Sequence, residues 1–232
     1  MIVSINQPAY LPWLGYIHRI YLSDIHVILD HVQFEKNSFT NRNKIRMKDG
    51  SAMLTIPLKT KGLFGNLAIN TIEIADDSWR VKHMKSIQSN YSKAKYFKQY
   101  EPVLMDFLSV PYVKFIDVVV VMNNWIMKEL NIKTKLIMSS SLNVQETKSD
   151  LVLNICKSLN ASTYLSGPFG RDYLNIDSFA ASGIKIAFHD YKHPVYSQTY
   201  PGFEPYMTII DLLFNHGLES IKYLIFDNEK NI

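Results

Sequence analysis

Cysteine is almost absent: Cys156 is the one thiol in 232 residues. That excludes an internal disulfide framework and any cysteine-rich zinc site. Leu151, Val152, Ile155 and Leu159 surround it at helical spacing, so a buried thiol is expected there rather than a nucleophile. Long apolar runs are lacking too. The most apolar stretch, Val113 to Leu130, is broken by Lys114, Asp117, Asn123, Asn124 and Lys128 and is too polar to span a membrane. Met1 to Pro8 shows no basic segment followed by a long apolar one, so the chain reads as cytoplasmic. There is no Gly-x-x-x-x-Gly-Lys loop, no Gly-x-Ser-x-Gly elbow and no Cys/His pairing. His18, His26 and His31 lack metal-ligand spacing, and His189 and His193 follow a strand-like run, so no tightly bound metal is expected.

What is present suits a folded domain. Apolar residues make up 47% and aromatics 12%, enough for a sizeable core, and with charged residues at 20% bulk disorder is excluded. The length fits a single α/β domain over residues 1–232. A net charge of +4 suits an anionic small molecule and permits tRNA without requiring nucleic acid. Ile2–Ile5, a helix from Trp13 to about Leu22 and a strand at His26–Asp30 read as a βαβ unit with parallel strands. Gln33 to Asp49 reads as a polar, basic loop, followed by short strands at 52–56 and 69–74. Helices over 79–91, 97–108 and 113–130 predict a mainly helical insert at about 78–130. Strands at 136–138, 163–165 and 184–188, with helices at 148–159 and 207–216, complete the pattern. The expected fold is a mostly parallel, open, Rossmann-like sheet with helices on both faces.

Ligands of such sheets collect beyond the C-terminal strand ends. Three polar constellations fall there. Asn6-Gln7-Pro8 through Gly15-Tyr16 could hold a phosphate on helix amides, or simply shape a turn with Pro8, Pro12, Trp13 and Tyr16. Asp30 to Arg46 carries Gln33, Lys36, Asn41-Arg42-Asn43 and Lys44. The guanidinium of Arg42 offers a planar fork for phosphate or carboxylate, and Phe34 and Phe39 would anchor the loop. The bland alternative is a solvated basic loop. Ser166-Gly167-Pro168-Phe169-Gly170-Arg171 follows a strand, where two glycines permit close approach and Ser166 and Arg171 could bind phosphate. A tight turn accounts for it equally well. His83 reads either as a general base or as a hydrogen-bonded structural histidine.

The segments Gln7 to Tyr16, Asp30 to Phe34 and Phe39 to Asn43 resemble the WbqC-like protein family. So do His83 to Tyr91, Lys95-Tyr96-Phe97, Tyr164 to Gly167, Tyr191 to Gln198 and Ile210 to Gly217. The family occurs in bacterial O-antigen and other surface-polysaccharide (lipopolysaccharide) gene clusters, with transfer of glycine to an amino sugar as its suggested activity. A more distant similarity is to nucleotidylyltransferases and adenylate-forming enzymes, whose His-x-Gly-His turn would correspond to Trp13-Leu14-Gly15-Tyr16. That stretch keeps the glycine and neither histidine.

These resemblances imply an enzyme that forms an amide on a nucleotide-linked amino sugar. The amino acid donor would be free, tRNA-linked or a thioester, and ATP with Mg would serve if an adenylate forms. His83 or Asp30 would act as base. Gln7, Tyr10, Trp13, Tyr16, Gln33, Asn41, Arg42, Asn43, Lys44 and Gln198 would contact substrate. Gly15, Ser166, Gly167 and Arg171 would meet phosphate. The alternative is a non-catalytic nucleotide-sugar binding module using the same loops.

Overall fold

The computed structural model describes residues 1–62, 65, 67–226 and 228. Strand β1 (Ile2–Asn6) alternates, with Val3 and Ile5 facing one apolar cluster and Ser4 the opposite side. Pro12 then introduces helix α1 (Leu14–Tyr21), which returns the chain to β2 (Ile25–Ile28), parallel to β1. Parallel sheets usually bury apolar residues on both faces. Here the face under α1 carries a polar seam. Ser23 Oγ donates to Ser4 Oγ at 2.7 Å, and Ser4 Oγ lies 2.7 Å from His26 Nδ1.

The chain leaves the sheet after β2. An antiparallel hairpin, β3 (Arg42–Met47) and β4 (Gly50–Thr55), occupies part of the segment expected to be a basic loop. The strand was masked because two of its buried positions, Asn43 and Arg46, are polar, so no apolar alternation appears. The strand expected at 69–74 is instead a 3-10 turn, Ile69–Thr71, with isolated bridges from Glu73 to Lys114 and Ile74 to Leu58. Helices α2 (Ser78–Tyr91), α3 (Phe97–Ser109) and α4 (Phe115–Glu129) follow as the spacing predicts.

The sheet resumes with β5 (Lys135–Met138), α5 (Lys148–Ser158), β6 (Thr163–Ser166), α6 (Ile176–Ala181) and β7 (Lys185–Phe188). Helices α7 (Ile209–His216) and α8 (Ser220–Ile225) close the chain. With 6 residues each, α6 and α8 are too short to show a period in sequence. All five sheet strands are parallel, in the order β5-β2-β1-β6-β7. From β1 the connection through α1 runs toward β2, whereas from β6 the connection through α6 runs toward β7. The direction therefore reverses between β1 and β6. One apolar cluster joins α5 and α6 to Val3, Ile5 and Val27. The other, larger cluster joins α1, α7 and the hairpin to the inserted helices. Cys156 is fully buried in the α5 cluster, and burial pushes its thiol up to about 12, so it is inert. Among the described residues no helix is long and apolar enough to cross a membrane.

Candidate functional site

A cavity of about 1150 Å³ opens at the C-terminal ends of β1, β6 and β7, at the point where the strand order reverses. Such a switch point leaves a crevice because the loops on either side diverge to opposite faces. Asn6 and Gln7 leave β1 into its wall, Ser166 to Gly170 leave β6, and His189 to Lys192 leave β7.

The floor carries Arg19 of α1. Gly15 and Arg19, one turn apart, share the helix face that looks into the cavity. A Cβ on Gly167 would collide with Arg19 Nη1, so the glycine makes room for the guanidinium. Arg19 Nε is buried without a hydrogen-bond partner, and no carboxylate pairs with the guanidinium among the described residues. Burial presses its pKa downward, while the hydroxyls of Tyr164, Tyr16 and Tyr173 oppose that shift. An arginine remains cationic in any protein setting. A charge so placed lacks its counter-ion. Lys148 and Lys192 add positive charge to the wall and Glu35 negative charge, while Asp190 is already forked by Arg171, at 2.9 and 2.7 Å.

Beside Arg19, His18 Nδ1 and His189 Nε2 share a hydrogen bond of 2.8 Å, with their rings stacked 5.0 Å apart. Burial lowers the His18 pKa to about 4. Burial, with Arg19 and His18 assisting, lowers that of His189 to about 3. Both imidazoles are therefore neutral at pH 7.

Aromatic rings frame the opening. Trp13 meets Tyr191 and Tyr206 edge-on at 5.7 and 5.9 Å. Phe169, on the same rim, is 79% exposed. A bridge between Trp13 and Thr208 fixes the Trp13 side. Two residues beside it, Leu11 (φ 45°) and Tyr206 (φ 60°), hold left-handed backbone that non-glycine residues avoid. Asn43 Nδ2 donates to Leu11 O at 2.6 Å and so holds that turn.

Of the residues singled out in sequence, the structure brings Gln7, Trp13, Gly15, Ser166 and Gly167 together at the cavity. Gly15 faces the Trp13 indole, which a Cβ there would strike. Ser166 Oγ turns to Gly167 O at 3.0 Å and packs against Gly170. Tyr16 donates to Gln7 O at 3.3 Å, bracing the turn from behind.

The remaining residues lie outside the cavity. Asp30 accepts from Ser139 Oγ, Ser140 N and Ser140 Oγ at 2.9, 2.8 and 2.7 Å. His83 has Nδ1 2.9 Å from the Tyr10 hydroxyl and Nε2 3.2 Å from Thr55 O, and burial lowers its pKa to about 4. Arg42 donates through Nε to Ser38 O at 3.1 Å and through Nη2 to Asn37 O. Asn41 donates to Ile56 O, Gln33 accepts from Leu67 N, and the backbone carbonyl of Lys44 accepts from Thr208 N. Gln198 donates to Glu204 O and to the buried Asp211 carboxylate. Phe34 anchors its loop as expected, whereas Phe39 is 51% exposed. Arg171 lies over the Phe188 ring, at 4.3 Å, and reaches the cavity only through its pairing with Asp190. His193 donates through Nδ1 to Pro194 O at 2.8 Å and accepts at Nε2 from Tyr206 N at 3.2 Å. No group of His, Cys, Asp and Glu among the described residues could hold a metal ion.

Arg19 escaped sequence reasoning, which searched loops, and His18 and His189 were weighed there only as metal ligands. Arg19 lies off the apolar stripe of Leu14, Ile17 and Ile20, one turn after Gly15 and with no acid three or four residues away, a pattern that in sequence looks the same as a solvent-facing arginine.

The model of the WbqC-like protein family matches residues 7–223. The chain belongs to that family. It is also 32% identical over 228 residues to "Uncharacterized protein Rv1507c" of Mycobacterium tuberculosis (strain ATCC 25618 / H37Rv), a match covering 96% of each chain. In this WbqC-like protein the matched region contains the whole α1 floor, the aromatic rim and the loops after β6 and β7.

Proposed function

We propose that this WbqC-like protein binds a nucleotide-linked amino sugar at the switch-point cavity and transfers an amino-acyl, glycine-like group to the sugar amine. One observation carries the reading: a cationic guanidinium, half-buried, its Nε unpartnered and without an ion-pair partner among the described residues, lies at the cavity floor beneath an aromatic rim. A diphosphate supplies the missing charge. The rings of Trp13, Tyr191 and Tyr206 suit the flat faces of a base or sugar. In the transfer, the amine lone pair attacks the acyl carbonyl. The C–N bond forms, the bond to the leaving oxygen or sulfur breaks, and the amine proton leaves with it. ATP with Mg would enter if the donor is an adenylate.

The non-catalytic module draws support from a specific observation. Both bases singled out in sequence, Asp30 and His83, lie outside the cavity with their polar atoms occupied. The experiment that separates the two is incubation with an amino-sugar nucleotide and either glycine plus ATP or glycyl-tRNA, read by mass spectrometry. The transfer reading expects a product heavier by one glycyl residue. A ligand-induced melting shift with no product under either donor contradicts transfer and leaves the module.

A further inference from the structure

We infer that His189, oriented by His18, is a second anion-binding donor that works with Arg19. The inference rests on reading the cavity as an anion site, and does not depend on acyl transfer. The two imidazoles share one hydrogen bond, between His18 Nδ1 and His189 Nε2. The far nitrogen of His18, Nε2, is buried without a partner. A buried N–H with no acceptor is rarer and costlier than a bare lone pair. The proton therefore sits on His18 Nδ1 and is donated to His189 Nε2. A neutral His189 with an accepting Nε2 must carry its own proton on Nδ1. His189 lines the cavity, and its Nδ1 makes no hydrogen bond among the described residues.

The chemical consequence is a directed N–H beside Arg19, suited to a phosphate or sulfate oxygen. His18 cannot touch the ligand through its committed Nδ1; it is a positioning residue. The charged groups acting on the pair are Arg19 and Asp190, with Asp190 already held by Arg171. Tyr21 and Tyr191 pack on the His18 ring at 6.1 and 5.1 Å. Nothing in that surrounding converts the pair to imidazolium near neutrality. The pair thus binds as a neutral donor.

The test uses sulfate, which keeps its charge across the neutral range, and ¹⁵N-labelled imidazoles. In the wild type, NMR should report the Nδ1–H form of His189, with that resonance moving as sulfate is added. Affinity should stay flat between about pH 6.5 and 8, because neither partner titrates there. Loss of one hydrogen bond to a charged group predicts roughly tenfold weaker sulfate binding in His189→Phe and in His18→Leu. His18→Gln keeps an N–H donor toward His189 and should stay within about threefold of wild type. A purely structural role would not separate His18→Gln from His18→Leu. An Nε2–H form of His189, affinity rising as pH falls, or unchanged affinity in folded His18→Leu would overturn the inference. The wild-type NMR result decides it even if a variant fails to fold. No sulfate binding by the wild type would overturn both this inference and the anion site beneath it. Binding with the predicted tautomer but no glycyl product would remove only the transfer reading.

Discussion

Four histidines, His18, His26, His83 and His189, are buried as neutral rings, each for a different neighbour. Burial lowers His18 and His83 to about 4, and His26 and His189 to about 3, against about 6.5 in an unfolded chain. A folded-state pKa below the unfolded one means that the unfolded chain binds more protons. Their contribution is therefore full above about pH 6.5 and is lost as pH falls toward the folded values, at about 1.4 kcal/mol per pH unit per group. Urea melts at pH 7.5, 6 and 5 should show a stability plateau above about pH 6.5 and a steep decline below it. His83→Gln should make the decline shallower by one group. A midpoint unchanged down to pH 5 would contradict the burial assigned to these rings. None of the four environments could be read from sequence, because each partner is more than 20 residues away along the chain. The sequence left His83 open as a general base or a hydrogen-bonded structural histidine, and its ring contacts the Tyr10 hydroxyl and Thr55 O.

At the scale of elements, α1 gathers the most. Its first turn takes the Trp13 indole against Gly15, and its cavity face carries Arg19. A glycine in an exposed helix gains about 1 kcal/mol on replacement by alanine. Gly15→Ala should do the reverse, losing about 1–3 kcal/mol as the Cβ displaces the indole, and should weaken nucleotide-sugar binding. Thermal melts and a ligand titration check both, and a stabilised, fully binding Gly15→Ala would show that the indole is not held there. This element was legible in outline: Pro12 and the spacing of Leu14, Ile17 and Ile20 mark the helix. The hairpin was not, since Asn43 and Arg46 bury polar atoms against Leu11 O and Pro201 O. Strands whose inward positions are polar lack the alternation that betrays a strand.

Across the whole molecule, the parallel alternation of strands and helices was readable because each helix and strand carries its own period. The switch point was not, because strand order depends on pairings between residues as distant as Ser4 and Leu165. That order places the β1 and β6 loops side by side and turns Gln7, Ser166 and Gly167 into one wall. It also leaves Arg42, the fork most visible in sequence, tied to the carbonyls of Ser38 and Asn37. The central claim is that Arg19 holds the ligand's anion. The most direct measurement is affinity for a nucleotide-linked amino sugar, with melting temperature, in Arg19→Met and Arg42→Met. Arg19→Met should weaken binding by about tenfold to a hundredfold, since a charge-assisted bond contributes roughly 1.5–3 kcal/mol. Its melting temperature should hold or rise, because a half-buried charge without an ion-pair partner is removed and no partner is stranded. Arg42→Met should lower stability by about 1 kcal/mol and bind normally. Unchanged affinity in folded Arg19→Met would contradict the account.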